Sequence, residues 1–317
     1  MRQLTSADIK TKARALGFDA CGVAPAGDLP ELEFFQEWIA RGYAGSMAYL
    51  ERSADRRAGV ARVMPSARSV IVTATVYNTA RPYSTECADS SRAQIARYAW
   101  GEDYHVVIGG RLDALVAWMR EIVPQPFEAR AYVDTGPVQE RVYARHAGIG
   151  WIGKNTCVIS PELGSWVLLG EIICSLPLDA DAPAFDQCGD CVLCLEACPT
   201  QALVAPAVLD SSRCISYLTI EHRGEIPAAL GPAIGSHVYG CDICQEVCPW
   251  NSCAPTSADP AWWPRSVWDQ PALVDLSRMP DDVLSSALRG SAMSRAKAAG
   301  LRRNVAVALE NVQTPGT

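Results

Sequence analysis

The sequence predicts an α+β protein in three parts: a domain around one central sheet over residues 1–180, a cysteine-rich ferredoxin-like domain over 181–255, and a short helical region over 256–317. Three observations carry this. Helical and strand-like stretches alternate up to about residue 180. Two cysteine runs then fall within Cys188 to Pro249. Beyond Trp250, a loop rich in Pro, Ser and Trp gives way to helical segments from Pro280 onward.

In chain order, Thr5 with Asp8 three positions on forms a capping box for a helix with Ile9, Ala13 and Leu16 on one face, closed by Gly17. A short strand is expected at Phe18 to Val23, and the β-branched run Ser69 to Tyr77 reads as a buried strand. A helix is expected over Val106 to Ile122, stopped by Pro124, and a further strand over Arg130 to Val133. The chain has neither G-x-G-x-x-G after a strand nor a Walker A loop, so nothing points to a dinucleotide or a nucleoside triphosphate.

The first cysteine run, Cys188, Cys191, Cys194, Cys198 and Pro199, has the spacing C-x2-C-x2-C-x3-C-P of bacterial two-cluster ferredoxins. In that pattern the fourth cysteine serves the other cluster. Downstream, Cys214, Cys241, Cys244 and Cys248, followed by Pro249, repeat the ending with the leading cysteine displaced by a long insert. The exchange rule assigns one 4Fe-4S cluster to Cys188, Cys191, Cys194 and Cys248 and a second to Cys198, Cys214, Cys241 and Cys244. Two structural zinc sites are the alternative, although zinc ribbons use paired C-x2-C knuckles rather than a triple run.

The remaining cysteines, Cys21, Cys87, Cys157, Cys174 and Cys253, are expected to be buried free thiols in a reducing compartment, the cytoplasm. Met1 to Lys12 has no apolar signal core, and the most hydrophobic stretch, Trp166 to Leu178, is interrupted by Glu171 and Pro177, so no membrane span is expected. The net charge of −7 speaks against broad attraction to polyanions. Two basic patches remain: Arg52, Arg56, Arg57, Arg62 and Arg68, and Arg289, Arg295, Lys297, Arg302 and Arg303. Solvated faces are the ordinary reading of both, and phosphate contacts the functional one.

Three stretches are too specific for packing alone: Arg97 to His105, Asp134-Thr-Gly-Pro at a strand end, and the glycine-rich Gly148 to Thr156. Asp134 also has a bland reading as a helix N-cap. Beside two clusters, the three together point to a redox active site. The insert 215–227 is too long and apolar for a plain loop and is expected to pack back on the first domain.

These residues resemble the tRNA epoxyqueuosine reductases over nearly the whole chain. The resemblance rests on Arg97-Tyr-Ala with Asp103-Tyr-His, Asp134-Thr-Gly-Pro, Ala147 to Thr156, Gly164-Ser-Trp with Leu169-Gly-Glu, both cysteine sets, His222 to Pro227, Tyr239 to Asn251 and Gly300-Leu-Arg-Arg-Asn. It implies a base-off cobalamin between the first and the cluster domains and reduction of the wobble-position epoxide to an alkene. Asp134 is implied as the acid for the departing oxygen, which requires its pKa to be raised by desolvation. Arg57, Asp134, Arg141, Lys154, Asn155, Thr156 and Ser216 are implied around the cobalamin, and Tyr104 and His105 against the modified base. The implied partners are tRNA and an external one-electron donor such as a flavodoxin or ferredoxin, and the chain is expected to be a monomer.

The sequence departs from the family at Arg57-Ala-Gly-Val, where Arg-x-Asp-Pro is usual, and at Trp100 and Glu102, which replace basic residues. The rivals are a cobalamin and iron–sulfur reductase of another substrate, such as a reductive dehalogenase with its twin-arginine signal, and a noncatalytic iron–sulfur electron carrier.

Overall fold

In a computed structural model that describes residues 4–313, an antiparallel sheet organises the first part of the chain. Its strands are β1 (Ala20–Pro25), β2 (Ser69–Val76), β3 (Ala129–Tyr132) and β4 (Val167–Cys174), ordered β1, β2, β4, β3. Every residue of β2 is buried, which is why its sequence is a continuous β-branched run instead of an alternation.

Helices cover both faces, so the architecture is α+β. On one face α1 (Ser6–Ala15) and α2 (Tyr104–Ile122) bury Ile9, Ala13, Ile108, Leu112 and Leu115 against Ile71 and Ile172. On the other, α3 (Glu140–His146) packs Val142 and Tyr143 with Val70, Val72 and Ala74. The capping box of α1 is made as expected: Asp8 N donates to Thr5 Oγ1 at 3.2 Å and Thr5 N to Asp8 Oδ2 at 3.1 Å. The first strand begins at Ala20, two residues later than expected, because Gly17 at φ +89° turns the chain through Phe18. Helix α2 begins two residues earlier than expected, where the Asp103 carboxylate caps it by accepting from His105 N at 3.0 Å.

The insert between Cys214 and Cys241 forms α4 (Ile215–Ile220) and a strand, His237–Tyr239, that pairs in parallel with Gln94–Ile95. It packs back on the first part, as Tyr217 Oη accepts from Ser46 N at 2.7 Å. The carboxy-terminal helix α5 (Lys297–Gln313) lies across it, with Asn304 Nδ2 donating to the carbonyls of Thr219 and Val238, both at 2.8 Å. Residues 314–317 of the expected helical region lie outside the described residues.

Arg97 ties these parts together, so the first distinctive stretch is partly a structural joint. Its guanidinium is buried between the rings of Tyr83, Trp100 and Trp166, 4.8, 5.0 and 5.3 Å from their centroids. It donates to the carbonyls of Thr79, Arg81 and Pro82, and its backbone N–H donates at 2.7 Å to Asp242, which lies between Cys241 and Cys244.

The expectation of five buried free thiols is corrected. Only Cys174 is fully buried; Cys21, Cys87 and Cys157 are partly covered, and Cys253 is exposed because it falls in a surface turn just past the last cysteine run. No described helix is long and apolar enough to cross a membrane.

Candidate functional site

The end of β3, the start of α2 and the turn before α3 meet at Asp134. The residue stands two positions past the strand, at φ +58°, and α3 starts only at Glu140, so it is not the N-cap that its sequence context also allowed. Tyr104 Oη donates to Asp134 Oδ2 at 3.0 Å, and His105 Nε2 lies 3.6 Å from the same oxygen. His105 in turn holds Asp103 Oδ1 at 2.7 Å through Nδ1, which fixes the ring, and Tyr104 stacks on it with centroids 4.1 Å apart.

These contacts set the charges. The neighbouring His105 ring holds the Asp134 carboxyl below the usual carboxylate range, against its desolvation, with further help from the Tyr104 hydrogen bond and Arg141. Burial works against the His105 cation, but its bonds to Asp134 and Asp103 prevail and raise its pKa. The expectation of a raised Asp134 pKa is therefore reversed in the protein alone, where the exchangeable proton favours the imidazole. Asp134 itself is 64% exposed and open to a ligand.

The glycine-rich stretch has a packing origin. A Cβ at Gly150 would lie 2.3 Å from the Ile159 carbonyl and one at Gly153 2.4 Å from the Ile159 side chain, so both let the loop close on the Val158–Ile159 strand. What the loop presents comes next. Lys154 Nζ donates to Gly189 O at 2.6 Å and Asn155 Nδ2 to Cys244 O at 3.1 Å, tying the loop to both cysteine runs. Thr156, at φ +67°, receives Arg141 Nη1 at 3.4 Å. Arg57 donates to Val138 O at 3.0 Å, behind the Asp134 turn. Ser216 stands elsewhere, on α4, two residues past Cys214.

The eight cysteines fall into two groups by the fields they exert on one another. Burial and then the charges of Cys248, Cys188 and Cys191 push the Cys194 thiol up to about 11. Burial and Cys198 raise Cys214, and burial and Cys214 raise Cys241. Cys157, burial, Cys241 and Cys214 all raise the Cys244 thiol. Arg141 lies near the acid, and its charge acts on both Asp134 and the spare thiol Cys157. In the first group Cys191 is exposed, while Trp151 Nε1 covers Cys188 Sγ at 3.4 Å.

The chain is similar to known proteins along nearly its whole length. The epoxyqueuosine reductase of Gloeobacter violaceus is 45% identical over 312 residues, 96% of each chain, and that of Synechocystis sp. is 42% identical over 294 residues, 91% of this chain and all of the other. This chain belongs to the epoxyqueuosine reductase family. The family model described as "Epoxyqueuosine reductase QueG, DUF1730" matches residues 57–135, and that of a 4Fe-4S double cluster binding domain matches 187–251. Among solved structures, an epoxyqueuosine reductase with an epoxyqueuosine-modified tRNA-Tyr stem loop superposes with a TM-score of 0.86 at 30% identity, covering 98% of this chain and 82% of that one. The Bacillus subtilis enzyme with its catalytic loop swung out of the active site gives 0.87 at 29% identity, with the same coverage.

The carboxy-terminal basic patch is less available for a family substrate than its sequence implies. Arg302 pairs with Asp281 and donates to Ser277 O and Met279 O, while Arg303 donates to the carbonyls of His222, Gly224 and Leu218. Both are structural. Arg295 and the exposed Lys297 instead line an open cleft of about 560 Å³ with Tyr49, Glu221 and Arg223. Arg303→Ala is accordingly expected to lower stability by about 1–3 kcal/mol through its stranded carbonyls, read as a shift in denaturation midpoint, more than it weakens any ligand. Two further acids lie close to Asp134: Glu140, which no sequence motif marks, and Glu171, which the sequence marks as part of the Leu169-Gly-Glu motif and as a charge inside an apolar run, without a role.

Proposed function

We propose that this chain reduces the epoxide of epoxyqueuosine, at the wobble position of tRNA, to the alkene of queuosine. The observation that carries the reading is Asp134: an exposed carboxylate with the Tyr104 hydroxyl and the His105 ring beside one of its oxygens and Arg141 nearby, in a chain that also carries a double-cluster region. A noncatalytic electron carrier has no use for this constellation.

The residues suit the cofactors that the family resemblance implies. Cys188, Cys191, Cys194 and Cys248 would hold one 4Fe-4S cluster, and Cys198, Cys214, Cys241 and Cys244 the other. Arg57, Arg141, Thr156 and Ser216 offer the hydroxyls and cations that suit the amide fringe of a corrin, with Lys154 and Asn155 setting their loop. When bound, cobalamin supplies a nucleophile that opens the epoxide, and the clusters feed it electrons one at a time.

Deoxygenation consumes two electrons and two protons and releases water. The departing oxygen takes a proton at Asp134, which is replenished from His105 Nε2, while the Tyr104 hydroxyl steadies the carboxylate. Excluding water from Asp134 raises its pKa toward that of an acid. The substrate base lies in a single-stranded loop, so extruding it costs only a few kcal/mol.

The test is anaerobic: protein reconstituted with iron, sulfide and cobalamin is given an anticodon stem loop carrying epoxyqueuosine, and its nucleosides are read by mass spectrometry. Cobalamin-dependent loss of one oxygen atom is expected; no loss with every cofactor bound would discard the substrate. The finer reading is a cytoplasmic monomer of three parts, 1–180, 181–255 and 256–317, that draws electrons from a flavodoxin or ferredoxin. Phosphates of the tRNA would meet Arg295 and Lys297. Replacing both with Ala is expected to weaken stem-loop binding and to lower the slope of log affinity against log salt by about one to two. An unchanged slope would remove them from the interface.

A further inference from the structure

Glu171 is the anomaly of the sheet. It sits in the middle of β4, is fully buried, and neither carboxyl oxygen finds an N–H or O–H donor. A buried charge without a partner costs several kcal/mol or takes up a proton. Its direction is fixed by the strand: Leu169, Glu171 and Ile173 share one face, which α3 covers. Across that face α3 packs on the strand with Glu140 as its first residue, and after burial the charge of Glu140 is the largest influence on Glu171. Glu140 in turn accepts the backbone N–H of Asp134 at 2.6 Å.

Two facing carboxyls form a hydrogen bond only if one of them carries a proton, because ionised carboxylates only accept. We propose that Glu171 keeps that proton and donates it to Glu140, so that the pair, with a single negative charge, latches the Asp134 turn by its backbone N–H. The turn needs such a latch. Asp134 holds a left-handed φ of +58°, which strains a non-glycine residue, and β3 has ended two residues earlier. Glu140 and Glu171 are thus positioning residues, since neither touches the reacting atoms.

The surroundings favour this division of the proton. Glu140 faces Asp134, its helix neighbour Arg141, and Arg57 and Tyr104 from the neighbouring elements. Glu171 faces Glu140 and Asp134 and no cation, and its partners on the adjoining strands are Val72 and Tyr132. Burial, Glu140 and Asp134 all raise Glu171, while burial and Asp134 push Glu140 up to about 7 against the bonds it accepts and Arg141. Ionising both acids would set two negative charges face to face in the core and loosen the turn. Release of the latch with rising pH is the consequence.

The role of the turn in turnover rests on the proposed function; the shared proton does not, and the experiment separates them. Infrared difference spectra of the reconstituted enzyme across an alkaline titration are expected to show a buried protonated carboxyl that disappears in Glu171→Gln. The glutamine amide can donate to Glu140 in the same place, so this variant is expected to keep turnover near neutral pH within about threefold and to lose the alkaline limb of the kcat profile. Glu171→Leu leaves Glu140 with the Asp134 N–H but no donor from β4 and is expected to lower kcat by about tenfold or more, as misplacement of a catalytic group does.

Thermal unfolding reads the same proton without substrate. A carboxyl whose folded pKa is raised gives its full support below the unfolded value of about 4.3 and loses it as pH rises. The wild type should therefore lose stability relative to Glu171→Gln on going from pH 5 to 8. A carboxyl band that survives in Glu171→Gln, or parallel stability curves for the two proteins, would overturn the shared proton. Loss of the band with an unchanged kcat profile would overturn the latch. If the stem loop is not a substrate at all, the band and the unfolding curves still decide the pair.

Discussion

Asp134→Asn is expected to bind iron and cobalamin as the wild type does and to lose turnover by a factor of about 10²–10⁴, the usual worth of a positioned general acid. Asparagine keeps the shape and the backbone N–H that Glu140 accepts at 2.6 Å, and its carbonyl can still receive the Tyr104 hydroxyl. It cannot pass on a proton. Single-turnover conversion of the modified stem loop, with metal and corrin content measured on the same sample, separates chemistry from assembly. A variant that turns over like the wild type would end the assignment. Since His105 holds Asp134 low and is itself raised, the two titrate as a pair, and the pH profile should report the pair and not either group alone.

The second large effect comes from removing cysteines two at a time. Under the exchanged assignment, Cys188→Ser with Cys198→Ser strikes both clusters, and iron should fall nearly to zero. Cys188→Ser with Cys248→Ser strikes only one and should leave about half. If each cluster were instead held by its own contiguous run, the two outcomes would trade places. Retained iron in the Cys188/Cys248 variant is a positive result, so misfolding cannot imitate it. The fields that group Cys248 with Cys188, Cys191 and Cys194 across more than fifty residues of chain support the exchange.

Spacing and periodicity carried the local features of this protein. The α1 capping box, the buried run of β2, the stop of α2 before Pro124 and both cysteine runs follow from residues a few positions apart, where rotamers, caps and metal spacing act locally. The family was legible too, because its motifs recur in order. Exposure was not: Cys253 reads like any other spare cysteine, and Arg302 and Arg303 read as a basic patch, whereas Asp281 with the carbonyls of Ser277 and Met279 engages the first and carbonyls of the insert the second.

Everything that depended on one strand facing another helix was decided by the tertiary structure alone. Asp134 reads in sequence as a cap or an acid; only the meeting of β3, α2 and α3 puts His105 and Tyr104 on its carboxylate and sets its charge. Glu171 reads as a break in an apolar run, and only the pleat of β4 aims it at Glu140, because a side chain's face is set by strand register while its partner is set by packing. The sequence by itself determined the cofactor chemistry and the family; the fold determined where the protons sit, since a pKa depends on neighbours that the chain brings together from over a hundred residues away only by folding.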